Sequence, residues 1–207
     1  MLESKAAIIG YNGHALVVAE SYCSINKNLK YYTEVKEITK NPFNLKYLGL
    51  ETGINFQGWD MNISFILGIG DNQIREKVAK LVLKNLKHIE TVLDPNAIIS
   101  KTSEIGIGVF VSKGVLVNTL SKVGDFTILN TGCIIEHECE IGQASHIAPG
   151  AVLTGNVKVG NRTFIGANAV IKQGIVIGDD VIIGAGSVIL KNVENNSKIV
   201  GNPSRLI

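Results

Sequence analysis

Residues 134–142 read IIEHECEIG, so His137 stands between Glu136 and Glu138 in a stretch otherwise built from aliphatic and small side chains. A free imidazole, with a pKa of about 6.5, is mostly neutral at cellular pH and can take up a proton. An adjacent carboxylate can fix its tautomer and stabilise the imidazolium. Cys139 and Cys133 lie close by, and cysteine and histidine at short spacing can also bind zinc. A second group with chemical potential is the loop Gly10-Tyr11-Asn12-Gly13-His14, which follows the apolar run KAAII. It is a shortened relative of a dinucleotide fingerprint and lacks the full G-x-G-x-x-G spacing. Glycine there would let the backbone approach a phosphate, and a helix N-terminus would favour the anion. Taken alone, the loop reads equally well as a turn between strand and helix with no ligand.

The element that positions His137 is a repeat. Stepping by six from Leu93 gives Ile99, Ile105, Val111 and so on to Ile189, every one aliphatic. Four places after each comes a small or β-branched residue, among them Ser121, Thr127, Cys133, Cys139, Ser145 and Ala151. Glycine often follows the aliphatic residue directly, as at Gly106, Gly124, Gly142 and Gly160, where unusual backbone angles or a close approach are expected. A helix of period 3.6 cannot keep a six-residue spacing on one face, whereas short strands joined by tight corners can. In this phase Ile135 and Cys139 face inward, while His137 and Glu138 point outward. The side chains of His137 and the cysteines then diverge, which disfavours zinc, and no metal is expected. Glu136 occupies the place glycine holds in other hexads and has no assigned role.

Upstream the pattern is that of alternating strands and helices. KAAIIG (5–10) reads as a buried strand, and ALVVAESY (15–22) has helical apolar spacing. ISFILGIG (63–70) repeats the unit, with Asp71 or Asn72 as helix N-cap and Ile74, Val78, Leu81, Val82 and Leu86 on an apolar face. Between them, YYTEV (31–35) or LKYLGLE (45–51) supplies a further strand. Residues 1–90 are thus expected to form a small α/β domain with parallel strands, and 91–207 a repeat domain. The 207 residues carry 20 Lys and Arg against 18 acidic residues with no basic cluster, which argues against a nucleic-acid partner. No run approaches the length of a membrane helix, and residues 1–21 lack a leader's cleavage pattern, so a soluble cytoplasmic protein with reduced thiols is expected.

The hexads resemble those of the hexapeptide-repeat acyltransferases. With the G-x-x-G-H loop and a second strand ending in I-G-x-N-x-x-R, the whole chain is similar to the sugar-nucleotide N-acetyltransferases of bacterial surface-glycan pathways, of the bacillosamine and viosamine type. The resemblance implies a Rossmann-like α/β N-terminal domain followed by an all-β left-handed parallel β-helix, a triangular prism with three hexads per coil. It implies acetyl-CoA-dependent N-acetylation of a UDP- or dTDP-linked 4-amino-4,6-dideoxyhexose in lipopolysaccharide or O-antigen synthesis. It also implies a homotrimer with active sites between subunits.

Carried over by residue, the resemblance makes His137 the general base and Glu138 its orienting acid, with the backbone N–H of Gly155 stabilising the oxyanion. Gly10, Asn12, Gly13, His14, Gly70, Asn72 and Arg75 would contact the sugar nucleotide, with Glu34 at the end of a strand holding the nucleoside and Asn130 near the sugar. His146 would lie near the thiol end of CoA. The ending IVGNPSRLI (199–207) resembles a G-x-P-A-[KR] motif, with Ser204 in place of alanine, and would bring Arg205 to a CoA phosphate. Direct attack by a primary amine on the thioester needs no covalent enzyme intermediate. Two other readings remain: acyl transfer to a different small acceptor, such as an unactivated sugar or amino acid, and a non-catalytic β-helix scaffold indifferent to loss of His137.

Overall fold

The computed structural model describes residues 5–25 and 27–207; the first four residues of the stretch inspected for a leader lie outside them. The N-terminal part is a four-stranded parallel sheet made of β1 (Lys5–Ile9), β2 (Leu29–Thr33), β3 (Lys46–Tyr47) and β4 (Ile63–Leu67). The spatial order is β3-β2-β1-β4, so both segments offered for a further strand contribute one. β1 lies between β2 and β4, and chain connections leave it in opposite directions. Such a switch point opens a crevice at the carboxyl ends of the strands.

Helices α1 (Gly13–Ser24) and α2 (Asn72–Lys84) follow β1 and β4. Asp71 is the cap of α2, its Oδ1 accepting from Ile74 N at 2.8 Å. The buried face of α2 is Arg75, Val78, Ala79 and Val82. Ile74 and Leu86, expected on that face, are exposed; Leu86 lies past the helix end at a left-handed φ of 56°.

From Val92 onward, two-residue strands stack with an 18-residue register, such as Ile134↔Val152 and Glu140↔Lys158, into sheets of eight, six and five strands. These are the three faces of a β-solenoid. The aliphatic residues of the repeat and the small residues between them form one continuous core, including Val123, Leu129, Cys133, Ile135, Cys139 and Ile141. Each buried aliphatic side chain contributes roughly 1.5–3 kcal/mol through removal from water.

The corners obey a rule the sequence only half revealed. The left-handed angle recurs every six residues, at Gly114, Leu120, Phe126, Gly132, Glu138 and Ala144 and beyond, not at the glycines that follow the aliphatic residues. Those glycines serve the other purpose anticipated, close approach: a Cβ on Gly142 would lie 2.6 Å from Asn161 N in the next coil.

The N-terminal part packs on the eight-stranded face. Tyr11, Tyr22, Tyr32 and Ile66 share a cluster with Val92, Phe110 and Ile128, and Phe65, Leu67 and Val78 share another with Phe126 and Ala144. Polar ties reinforce the junction: Ser21 Oγ donates to Asp94 at 2.6 Å and Tyr22 Oη to Glu90 at 3.0 Å.

Candidate active site

A cavity of about 400 Å³ opens at the carboxyl ends of β1, β2 and β4, lined by Gly10, Tyr11, Asn12, His14, Thr33, Glu34, Glu51, Gly70 and the apolar Val35, Leu50, Ile69 and Ile74. Gly10 turns the chain with φ +76°, an angle costly for any residue with a Cβ. The Asn12 side chain does not cap α1. Its Nδ2 donates to Glu34 Oε2 at 2.7 Å, and the backbone N–H of Tyr11 donates to the same oxygen at 3.3 Å. Glu34 therefore braces the loop; of the first-turn N–H groups of α1, that of Ala15 donates to Asn12 O at 2.7 Å, while those of Gly13 and His14 have no acceptor among the described residues and stay available to an anion. A Cβ on Gly13 would meet nothing within 4 Å, so the space over the helix start is open.

Where this cavity meets the eight-stranded face, the structure brings His14 and His146 together, with ring centroids 6.1 Å apart. Phe110 packs edge-on to His14 and Phe164 to His146. Asn130 Nδ2 donates to His146 Nε2 at 3.1 Å, which leaves the ring proton of His146 on Nδ1. Among the described residues, His14 Nε2 and His146 Nδ1 are buried without hydrogen-bond partners. Burial first, and the nearby Arg75 charge second, push His14 down to about 4 and His146 to about 3, so both rings are neutral at physiological pH.

Arg75 and Asn72, expected at the sugar nucleotide, are hydrogen-bonded to the solenoid. Arg75 is 1% exposed. Its Nε donates to Phe126 O, Nη1 to Ile69 O and Gly70 O, and Nη2 to Ala144 O, Ser145 O and Asn72 Oδ1. Every N–H of the guanidinium has an acceptor within the chain. Asn72 Nδ2 donates to Arg162 O at 2.9 Å. Together they fasten the end of β4 to corners of the solenoid.

His137 and Glu138 occupy the corner between Ile134–Ile135 on the six-stranded face and Glu140–Ile141 on the five-stranded face. Their side chains are 45% and 58% exposed, and His137 Nδ1 lies 3.0 Å from Glu138 Oε2. A proton shared there leaves Nε2 free as an acceptor. One coil on, Gly155 lies against the ring: a Cβ at Gly155 would sit 2.5 Å from His137 Cε1 and Nε2. The Gly155 amide has no acceptor among the described residues. Glu138 takes φ 60°, but the corner residues at six-residue steps from Gly108 to Gly186 all take a similar angle, so it belongs to the fold and not to the site.

Cys133 and Cys139 are fully buried in the core. Burial pushes the Cys133 thiol up to about 12, and Cys139 Sγ donates to Thr154 O at 3.3 Å. Arg205 is exposed in a short strand, Arg205–Leu206, antiparallel to Lys198–Val200. Within one chain, then, Gly10 to His14, Glu34, Gly70, Asn130 and His146 converge on the eight-stranded side, whereas His137 and Gly155 lie on a different edge of the prism. Thr33, Glu51 and Ile74 were not singled out from the sequence as cavity residues; Thr33 ends β2 and Ile74 lies in α2, while the place of Glu51 depends on how the 35–60 segment folds back, which carries no periodic signal.

A family model described as Bacterial transferase hexapeptide (six repeats) matches residues 156–191, and one described as PglD N-terminal domain matches residues 5–82. A search of curated protein sequences finds no match. The perosamine N-acetyltransferase of Caulobacter crescentus, solved as a histidine-to-asparagine variant with CoA and GDP-perosamine, superposes with a TM-score of 0.93 at 30% identity, over 99% of this chain and 97% of that one. The acetyltransferase domain of PglB from Neisseria gonorrhoeae, solved with acetyl coenzyme A, gives 0.92 at 26% identity over 99% and 100%. WeeI from Acinetobacter baumannii, at 23% identity and a TM-score of 0.86, covering 99% and 100%, shares the fold.

Proposed function

We propose that this chain, which belongs to the hexapeptide-repeat sugar-nucleotide N-acetyltransferases, acetylates the 4-amino group of a nucleotide-linked 4-amino-4,6-dideoxyhexose. It is an acyltransferase that uses acetyl-CoA as co-substrate. The single observation that carries the mechanism is the corner at which a carboxylate-held imidazole meets an uncommitted glycine amide. The neutral amine attacks the thioester carbonyl, and its proton passes to His137 Nε2 as the C–N bond forms. The oxyanion takes the Gly155 N–H. Collapse breaks the C–S bond, and the imidazolium returns the proton to the departing CoA sulfur. Glu138 holds the imidazole tautomer throughout.

The strand-end cavity with the open N-terminus of α1 suits the nucleoside diphosphate. The neutral pair His14 and His146, with Asn130, suits the meeting of sugar and thioester, since uncharged rings neither repel a cationic amine nor compete with it for protons. Arg205 is free to meet a CoA phosphate. The Caulobacter relative, bound to CoA and GDP-perosamine, supports this pairing of ligands. Because the nucleotide cavity and His137 lie on different edges of the prism, a complete site takes His137 from a neighbouring protomer, which supports a homotrimer. A cytoplasmic place in surface-glycan synthesis is consistent with a nucleotide-activated substrate, and none of the described helices is long and apolar enough to cross a membrane.

The test is CoA release from acetyl-CoA with UDP-, dTDP- and GDP-linked 4-amino sugars beside unactivated amino sugars and amino acids. Turnover confined to a nucleotide-linked sugar is expected; equal turnover on free acceptors would favour the alternative acyltransferase reading.

A further inference from the structure

We propose that Glu51 reads the nucleobase and that the base it selects is guanine, in place of the uracil or thymine expected from resemblance. The proposal rests on reading the strand-end cavity as the nucleotide site. Two carboxylates line that cavity, and they differ in what they have left to offer. Glu34 is spoken for: Oε2 accepts from Tyr11 N and Asn12 Nδ2, and Oε1 accepts from Val35 N. Glu51 is 7% exposed, and its one hydrogen bond among the described residues is from Thr33 Oγ1 to Oε2 at 2.7 Å. No Lys, Arg or His of the described residues pairs with it. A carboxylate that is buried with one neutral donor is expensive unless something else meets its remaining lone pairs.

Thr33 is itself fully buried at the end of β2, so its hydroxyl fixes the carboxylate in place and leaves Oε1 wholly free. Around it, Val35, Leu50, Ile69 and Ile74 supply apolar walls for the faces of a planar ring, which explains why Ile74 is exposed instead of packed in the core. The pairing edge of guanine presents two adjacent donors, the ring N1–H and the exocyclic amino group, which match the two oxygens of a carboxylate. Uracil and thymine present a single N–H between two carbonyl oxygens, and those oxygens would face a buried anion. Adenine and cytosine offer an amino group beside a ring-nitrogen acceptor. Guanine alone among these satisfies both oxygens of Glu51.

The experiment is calorimetric titration of the full chain with GDP, UDP, dTDP and inosine diphosphate, which lacks the exocyclic amino group, repeated with Glu51→Gln. GDP should bind at least about tenfold more tightly than each of the others, the size of discrimination a paired base contact provides. Glu51→Gln, which keeps an oxygen for Thr33 but turns an acceptor into a donor, should bring GDP and UDP to within about threefold. UDP or dTDP binding wild-type protein as tightly as GDP would overturn the assignment, as would a GDP preference that survives Glu51→Gln. If that variant does not fold, the wild-type ratio of GDP to inosine diphosphate decides: a ratio near one overturns the proposal. Failure of every nucleotide to bind would refute the cavity's reading itself, whereas equal binding with acetyl transfer intact refutes base selection alone.

Discussion

At the scale of single residues, the contact between His137 and Gly155 makes the sharpest demand. Any side chain at Gly155 drives into the imidazole, and the ring, exposed and held by one carboxylate, is what gives way. Gly155→Ala should therefore lower kcat by about 10- to 100-fold, since displacing a reacting group by about 1 Å has that effect. Its melting temperature should barely change; steady-state kinetics beside a thermal melt check this, and a destabilised protein of normal activity would speak against it. The outward phase of His137 and the inward phase of Cys139 were legible in the sequence, because a six-residue period with no exceptions assigns every position a direction. Arg75 was not so legible. The residues around it match a ligand-binding motif, but its partners are carbonyls at Phe126, Ala144 and Ser145, about 50 to 70 positions away, and no local pattern announces that they come together. Glu51 was missed for the same reason.

At the scale of elements, the junction between the α/β part and the eight-stranded face buries two neutral histidines, and this makes it sensitive to acid. The folded pKa values of His14 and His146, about 4 and about 3, lie below the ordinary value of 6.5. Between these limits the unfolded chain binds protons that the folded chain does not, so stability is intact above pH 6.5 and falls as the pH drops toward 4. The loss is on the order of a few kcal/mol when both rings are counted. Denaturant unfolding followed from pH 7 to pH 4.5 should show it, and the His14→Asn/His146→Asn double variant should show a shallower pH dependence. Parallel slopes in the two proteins would mean that the histidines do not carry the effect. The strands and helices of this region were read correctly where apolar periodicity is long, as in 63–67 and 72–84. The short strand Lys46–Tyr47 and the loop to Trp59 were ambiguous because a two-residue strand has no period to detect.

At the scale of the whole molecule, the prism was the most readable feature of the sequence, and the assembly of the site the least. One protomer holds the nucleotide cavity against its eight-stranded face and His137 on another edge, and the proposed site is therefore one completed by a neighbouring subunit. Two inactive variants, His137→Ala and His14→Ala, should then rescue each other when co-assembled. In a randomly mixed trimer of equal parts, about one quarter of the sites receive both intact contributions, and activity should recover to about that fraction of wild type. Mixtures no more active than their parents would place both residues in one subunit's site.

The central claim is that His137 accepts the amine proton during acetyl transfer. The measurement that meets it most directly is the turnover of His137→Ala with acetyl-CoA and the best nucleotide-linked 4-amino sugar, at saturating concentrations. Loss of a positioned general base should reduce kcat by about 10²- to 10⁴-fold with little change in KM for either substrate. Turnover undiminished in that variant would contradict the claim.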